Sequence, residues 1–451
     1  MSRRDLTEGS LIGHLFRLSG PAILALILHN FYGVNDTFFA ARLGAAESNA
    51  MGLILFVLIL NFSISAIVSR GVAPLVSRFI GAKDRRSADH MIAQALVLSM
   101  TLATLVGIAG SLLSHQFVGW LGGDGETIAP GTSYLRTLYL FQWAMFLPPL
   151  VDSILIASGN TVTPMLLQGF SVSLNTLLNW LVVDGPGLFG LPALGLGGLA
   201  MTTAVSRGLA GSIGLYRIFR GATGSKPHFQ GHWKPEPKAF WRIARLGLPT
   251  AASIAMYSGV YVVLTNLISE FGQDALGALG IGFRGIESFS FHVMVGFGMA
   301  TATLVGQNLG AKKPERSARS AWIALGVAIV PATMFTLAFL IFPRELVALY
   351  TDEPGITHFT VGYVSTIAWS QFTLAFEEIF GEALIGAGCP RWFMFVVVPA
   401  NILRIPIAWL LAFHTSLGIL GVWWAINITT WLKAAILTGL FWKGPWRDKE
   451  I

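Results

Sequence analysis

The chain has 451 residues, of which 54% are hydrophobic and 12% charged, and its mean hydropathy is +0.65. Soluble domains carry about 25% charged residues, so this composition lacks the polar surface of a soluble protein and indicates an integral membrane protein. The single cysteine, Cys389, excludes an intrachain disulfide and a cysteine metal cluster.

Apolar stretches of about 20 residues, long enough to cross a bilayer as helices, recur along the chain. They predict an all-α integral membrane fold of about twelve transmembrane helices, in two six-helix repeats around a central cavity. The first six are predicted at 16–41, 49–80, 90–114, 133–157, 162–184 and 192–218. The second six are predicted at 240–269, 276–309, 317–342, 360–386, 392–413 and 418–441.

The stretch between the two sets is rich in Gly, Ser and Pro, which is typical of a linker. We therefore expect an N-terminal lobe at 1–218, a cytoplasmic linker at 219–238 and a C-terminal lobe at 239–451. A repeated phrase supports the duplication, because residues 75–83 read LVSRFIGAK and residues 304–312 read LVGQNLGAK. The offset is 304 − 75 = 229 residues, about half of the chain, as expected when one unit is used twice.

Basic residues occupy alternate loops, around 3–4, 78–86, 226–245, 312–319, 391 and 443–449, whereas the intervening loops are acidic or carry few charges. This alternation follows the positive-inside rule and predicts a multi-pass protein of the cytoplasmic (inner) membrane with both termini in the cytoplasm. It also accounts for the net charge of +7 without a nucleic-acid partner. The lipid bilayer is then the surrounding partner, and we expect a monomer.

Asp36 lies inside the first predicted helix. A carboxylate in a membrane helix costs roughly 2.5–3.5 kcal/mol even on the most lenient insertion scale, so it is expected to face a cavity or a partner. The residue is a candidate proton or cation site. The alternative is an acid near the helix end that reaches interfacial water, since Arg42 follows six residues later.

Asn175 and Asn179 lie four residues apart on one face of the fifth predicted helix, and Thr203 follows in the sixth. Amide and hydroxyl oxygens beside one carboxylate could coordinate sodium or hold a water next to a protonated acid. Intramembrane Asn and Thr also serve as ordinary helix-packing hydrogen bonders, so the spacing alone leaves both interpretations open.

Further charges lie in the second half. Glu377, Glu378 and Glu382 fall in the tenth predicted helix, where Arg404 of the eleventh is a candidate charge partner for one of them, and Arg284 and Glu287 lie three residues apart in the eighth. These residues form either structural pairs between helices or a second coupling or substrate site. We interpret Lys433 and Arg70 as structural.

A set of phrases, in this order, resembles the multidrug and toxic compound extrusion (MATE) transporters over nearly the whole chain. The phrases are Asn35-Asp36-Thr37 with Arg42-Leu43-Gly44, the segment 74–82, Asn175 to Thr203, Arg284-Gly285-Ile286-Glu287 and the segment 305–311. The resemblance implies antiport, in which entry of a cation into the first lobe drives release of an amphipathic, often cationic compound.

The resemblance also implies roles for single residues. Asp36 corresponds to the cation-coupling acid, with Asn175, Asn179 and Thr203 as its neighbours, and Pro21 to the proline where the first helix bends. The residues that it implies for the substrate cavity are Asn30, Tyr32 and Tyr257. One departure stands out: many members carry a second acid where this chain has Asn179, which weakens the case for a firmly held sodium ion and favours a proton. Asp184 is too near the outer surface to substitute.

The sequence therefore predicts a cation-coupled exporter of small amphipathic or cationic compounds that works by alternating access. We expect no cofactor and no metal beyond possible sodium at Asp36, so that H+ or Na+ is transported. The sequence contains no Walker A, HExxH or GxSxG motif, and we expect no enzymatic activity. The alternatives are a lipid-linked saccharide flippase of similar two-lobe architecture, a non-transporting membrane sensor and an intramembrane enzyme.

Overall fold

The computed structural model describes residues 5–183, 195–224, 226–227 and 232–449, and these residues are predominantly helical. The α-helices are α1 (Leu11–Leu43), α2 (Ala45–Gly81), α3 (Arg85–Trp120), α4 (Ile128–Leu140), α5 (Gln142–Ala157), α6 (Val162–Val183), α7 (Gly195–Arg217), α8 (Pro237–Ser269), α9 (Gln273–Leu279), α10 (Ser288–Gly310), α11 (Pro314–Ile341), α12 (Pro343–Ala348), α13 (Pro354–Gly386), α14 (Pro390–Phe413) and α15 (Ile419–Lys443). Ile218–Ala222 and Gly280–Glu287 are π-helical, and Pro445–Asp448 is a 3-10 helix.

Within the part of the chain that the structure describes, twelve helical segments reach the length that a bilayer requires. Among the described residues, nine are long and apolar enough to span it, with Gln273–Gly310 taken as one segment, and the pair α4 and α5 forms a tenth that is bent by 58°. α7 and α13, with 23 and 33 residues, are also long enough to cross a bilayer. The predicted all-α membrane fold of about twelve helices is confirmed, and the structure adds a break in the fourth helix at Phe141.

The two copies of the repeated phrase end their helices in the same way. Lys83 and Lys312 have φ angles of 60° and 58°, and they are the described non-glycine residues with positive φ. After each helix a backbone N–H reaches back five residues, from Asp84 to Phe79 and from Lys313 to Asn308, at 2.9 Å in both cases. This is the Schellman ending, in which a left-handed residue satisfies the last helical carbonyls. Matching backbone geometry at an offset of 229 residues confirms the internal repeat in the structure.

The turn after α2 also caps α3. The Asp84 side chain accepts a hydrogen bond from the backbone N–H of Ser87 at 3.1 Å. Hydrogen bonds from the side chain and backbone of Ser87 lower the pKa of the Asp84 carboxyl from its ordinary value. The group therefore stays ionised at neutral pH, and its negative charge stabilises the positive N-terminal end of the helix dipole.

By its internal packing the described chain divides into two compact units, which we call unit 1 (residues 24–251) and unit 2 (5–23 together with 252–449). These bounds differ from the predicted lobes at 1–218 and 239–451. The first part of α1 belongs to unit 2 because Leu15 and Leu18 are buried in the same apolar cluster as Leu304 and Val305. The first part of α8 belongs to unit 1.

The segment before α8 is fixed to α3 by polar contacts. Arg85 Nη1 donates to the carbonyl of Thr223 at 2.9 Å, and Gln94 Nε2 donates to the carbonyls of His232 and Lys234 at 2.6 and 2.9 Å. Glu236 donates its backbone N–H back to Gln94 Oε1 at 2.9 Å. The described part of the predicted linker is therefore held against α3, within unit 1, by specific hydrogen bonds.

A glycine on α8 allows the close approach of the first part of this helix to α2, within unit 1. A Cβ atom at Gly247 would lie 1.7 Å from the backbone carbonyl oxygen of Ile67, whereas at Gly259, further along α8, it would meet nothing within 4 Å. We predict that Gly247→Ala destabilises the protein by about 1–3 kcal/mol, since backbone atoms cannot move aside as a side chain can. Gly259→Ala leaves stability unchanged or raises it, because alanine is the better helix former. Thermal unfolding of both variants in detergent checks this, and equal melting temperatures would contradict it.

Candidate functional site

The Asp36 carboxyl group is buried in unit 1, with 4% of the residue exposed, and three side chains donate hydrogen bonds to it. Asn179 Nδ2 lies 3.0 Å from Oδ1, while Thr203 Oγ1 and the Tyr134 hydroxyl lie 3.0 and 3.3 Å from Oδ2. The donors belong to α6, α7 and α4, so one carboxyl group on α1 joins four helices. Asp36 is therefore not an interfacial acid that merely reaches water.

A second layer of polar side chains holds these donors in place. Asn175 Nδ2 donates to Thr203 Oγ1 at 3.0 Å, and Asn175 Oδ1 accepts from Asn35 Nδ2 at 2.6 Å. Thr202 donates its hydroxyl to Asn179 Oδ1. Asn175 and Asn179 are fully buried, so each amide needs partners on both of its ends.

Small residues at the start of α7 bring that helix close to α4, which carries Tyr134. A Cβ atom at Gly197 would lie 2.4 Å from Ser133 Oγ. The glycine-rich run 195–198 thus serves as a packing surface between helices. In this packing Thr202 and Thr203 of α7 lie within hydrogen-bond distance of the two asparagines of α6.

The structure brings the four predicted residues together: Asp36, Asn175, Asn179 and Thr203 lie in one hydrogen-bonded cluster. Their role in coupling stays a prediction. Tyr134 was missed, because the start of the fourth predicted helix carries no local signal of a contact with the first. Asp184 lies outside the described residues.

The residues predicted to line a substrate cavity differ in exposure. Asn30 is exposed, whereas Tyr32 is buried and its hydroxyl bonds to Ser171 and, at 3.3 Å, to Ser206. Tyr257 is half-buried, with its ring 4.8 Å from the ring of Tyr261. α1 continues as a helix through Pro21, and both the bend there and the substrate contacts stay predictions.

Unit 2 holds a polar cluster that corresponds in sequence to the one around Asp36. Tyr363 donates its hydroxyl to Glu287, and Arg404 Nε donates to Thr429 Oγ1 at 2.9 Å. Two pairs of residues correspond at the repeat offset of 229, Tyr134 with Tyr363 and Asn175 with Arg404. The second copy therefore keeps the tyrosine, replaces an asparagine with an arginine, and has its acid on a different helix.

Among the acids of α13, Glu377 pairs with a lysine and not with Arg404. Its Oε1 atom lies 2.6 Å from Lys433 Nζ, in an ion pair whose members are both buried, whereas Arg404 bonds Thr429 and lies over the ring of Tyr261. α13 contacts α15 extensively, and Lys433 lies on α15. The direct partner of Glu377 is therefore Lys433, which the sequence analysis interpreted as structural.

The other predicted charges of the second half have different environments. Arg284 is exposed, although it lies only three residues before Glu287. Glu382 is buried, and its Cγ would lie 2.9 Å from a Cβ atom at Gly298, while Glu378 is half-buried. A role for any of them in coupling or substrate binding stays a prediction.

Comparison with known proteins decides the family. The family model described as MatE matches residues 21–181 and again residues 249–410, so that the two matches begin 249 − 21 = 228 positions apart. The chain belongs to the MATE family of membrane transporters. The double match follows the internal repeat and includes most of the cluster around Asp36.

Similar proteins span nearly the whole chain. A Thermotoga maritima protein named "Probable multidrug resistance protein NorM" is 25% identical over 446 residues, covering 97% of this chain and 93% of its own. A Pseudomonas putida protein of the same name is 27% identical over 448 residues, covering 97% and 95%. The crystal structure of a MATE protein in complex with MaL6 shares the fold, with a TM-score of 0.90, 20% identity and 97% coverage of both chains.

The Glu377–Lys433 pair offers a test of whether these charges are structural. We predict that Lys433→Met destabilises this MATE protein by about 3–5 kcal/mol, because it leaves a buried acid without its partner. The double variant Glu377→Leu/Lys433→Met recovers most of that loss, since no unpaired charge is left. Thermal unfolding in detergent measures both. If the double variant keeps wild-type stability but loses transport, the pair has a role beyond packing.

Proposed function

We propose that this transporter exports small amphipathic, cationic compounds in exchange for protons, by alternating access across the inner membrane, with both termini in the cytoplasm. The observation that carries the proposal is the buried Asp36 carboxyl group with three uncharged donors. Relatives named multidrug resistance proteins support the substrate class. We propose no cofactor and a monomer as the working unit.

The orientation of the asparagine side chains favours a proton over sodium. Hard cations take oxygen ligands, but the amide nitrogen of Asn179 faces Asp36 and that of Asn175 faces Thr203. The two amide oxygens accept bonds from Thr202 and Asn35. The cluster therefore offers hydrogen-bond donors to one carboxylate, which suits a group that gains and loses a proton.

Protonation of Asp36 provides the step that couples the proton to transport. The proton bonds to one carboxyl oxygen and removes a full negative charge, so the bonds from Asn179 and Thr203 lose their charge-assisted strength. The preference of α1 for its contacts with α4, α6 and α7 then changes, and the state with released substrate gains population. Loss of the proton to the inner side restores the charged state, which favours binding of a cationic substrate.

Asp36→Asn tests the coupling acid. We expect proton-driven efflux of ethidium by the variant to be at least about tenfold slower, because the amide cannot bind and release a proton in the pH range in which the transporter works. Efflux from energised cells without their own exporters, and from proteoliposomes with an imposed pH gradient, measures this. The control is Asp352→Asn, an exposed loop acid between α12 and α13 that is expected to leave efflux unchanged. Wild-type efflux in Asp36→Asn would disprove the mechanism.

Asn179→Asp tests why the proton is preferred. A second carboxyl group 3.0 Å from Asp36, at the position of the present amide nitrogen, would supply the charge that a sodium ion needs. We expect ethidium transport by the variant to respond to a sodium gradient at equal pH on both sides, and wild-type transport not to respond. A wild-type protein driven equally well by sodium would refute the preference for protons.

The alternatives give different results in the same vesicles. A flippase for a lipid-linked saccharide would need free cations for its pyrophosphate, but of the buried cations in unit 2, Lys433 is paired with Glu377 and Arg404 is bonded to Thr429. It would move a labelled lipid instead of ethidium. A sensor or an intramembrane enzyme would move neither.

A further inference from the structure

Unit 1 contains a second membrane acid that the coupling cluster does not use. Asp152 lies on α5, and its Oδ2 atom accepts a hydrogen bond from Gln168 Nε2 at 2.9 Å. It lines a small cleft together with Ser171, Arg207 and apolar side chains. A carboxyl group inside a membrane segment is costly to keep and is a functional candidate by default.

Hydroxyl groups lie between this cleft and Asp36. Ser171, on the wall of the cleft, bonds to the Tyr32 hydroxyl, which donates to Ser206 Oγ at 3.3 Å. Ser206 donates to the backbone carbonyl of Thr203 at 3.1 Å, and the Thr203 hydroxyl donates to Asp36. Polar groups of α1, α6 and α7 therefore follow one another from the first acid to the cleft that holds the second.

The two acids lie at different depths of the unit. Asn179, which bonds Asp36, and Gln168, which bonds Asp152, are both on α6 and are eleven residues apart. At 1.5 Å per residue this separation is roughly 16 Å along the helix axis, about half of a hydrocarbon core. If the N-terminus is cytoplasmic as proposed, α1 rises outward to Asp36, and Asp152 lies on the cytoplasmic side of it.

Arg207 gives the cleft a fixed positive charge. Its guanidinium carbon lies 5.3 Å from the centre of the Tyr32 ring, and the side chain lines the same cleft as Asp152. The buried Nε atom makes no hydrogen bond to any residue that the structure describes. Arginine does not give up its proton in proteins, so Arg207 does not carry the transported proton. It stabilises the negative charge that Asp152 bears after losing a proton.

We propose that Asp152 is a second proton-exchanging carboxyl group, through which the proton bound at Asp36 leaves toward the cytoplasm. The O–H bond of the Asp36 carboxyl breaks and its proton passes to the Thr203 hydroxyl, which gives up its own proton. Because Ser206 bonds the Thr203 carbonyl and not its hydroxyl, a water carries the proton from Thr203 to Ser206 in this proposal. The hydroxyls of Ser206, Tyr32 and Ser171 then each accept one proton and pass one on, and a new O–H bond forms on the Asp152 carboxylate. In this proposal one further water lies between Ser171 and Asp152, where the Ser171 hydroxyl, the Arg207 guanidinium and the Asp152 carboxylate are its partners. Asp152 then releases the proton to the cytoplasm. This inference rests on the proposed proton coupling.

Two transport modes separate proton release from substrate handling. Exchange of ethidium across vesicles at equal pH needs only the loaded transporter, whereas net export under a pH gradient also needs the proton to leave inside. In proteoliposomes with internal pyranine as the pH indicator, we expect Asp152→Asn to keep ethidium exchange near the wild-type rate. We expect it to slow net export and proton movement by at least about tenfold, which is less than the roughly hundredfold or more that a positioned acid–base group typically contributes.

A relocated carboxyl group provides the matched control. Gln168 bonds Asp152 directly. The double variant Asp152→Asn/Gln168→Glu therefore returns an acid to the same cleft, with the amide and the carboxyl group exchanged between the two positions. We expect it to recover net export at least in part and to shift its dependence on internal pH. An acid needed only for folding would not be replaced in this way, and thermal unfolding of the variants checks stability independently.

The outcomes are distinct. Wild-type net export and wild-type dependence on internal pH in Asp152→Asn overturn the proposal, and so does a parallel loss of exchange and export, which places Asp152 in substrate binding or folding. If Asp36→Asn is inactive while Asp152→Asn is fully active, only this inference fails. If Asp36→Asn keeps proton-driven export, the proposed coupling itself fails.

Discussion

A carboxyl group in the interior of a membrane protein can be satisfied only by the protein, because the hydrocarbon supplies no hydrogen bonds. The hydrogen-bond donors to Asp36 are Asn179, Thr203 and Tyr134, and each lies on a different helix. Satisfying one carboxyl group on α1 therefore requires three further helices. The bonds are short-range and directional, so the carboxyl group fixes where α1 lies against its neighbours. Any event that changes its charge also changes the contacts that position α1 in unit 1.

The shell around Asp36 is uncharged, and the corresponding shell of the second half is not. Where the first copy has Asn175, the second has Arg404, which is buried and acts electrostatically on Glu287. At the position of Asp36 itself the second copy has Leu264, packed in an apolar cluster and 1% exposed. The two halves therefore share a scaffold but differ in the charged groups that they place on it.

Sequence reasoning predicted what depends on local pattern and missed what depends on tertiary contact. The repeated phrase predicted two copies of one unit, whose equivalent helix ends are found at Lys83 and Lys312, and the resemblance to the MATE family implied the neighbours of Asp36. No local pattern indicates that Lys433 rather than Arg404 pairs with Glu377, because the choice depends on how α13, α14 and α15 pack. The break between α4 and α5 was missed for the same reason.

Asp152 and Arg207 could have been found from the sequence, since both are charged residues inside the predicted helices 133–157 and 192–218. The rule that singled out Asp36 applies equally to them, but no motif drew attention to either. Asp152 and Arg207 line the same cleft as Ser171, whose hydroxyl bonds to that of Tyr32. Unit 1 therefore has two acids at different depths, and the permanently charged Arg207 lies in the cleft that holds Asp152. A single titrating site can bind a proton from one side and must then be exposed to the other. With two acids at different depths, Asp36 binds the proton and Asp152 releases it to the cytoplasm, so Asp36 itself need not be exposed to the cytoplasm.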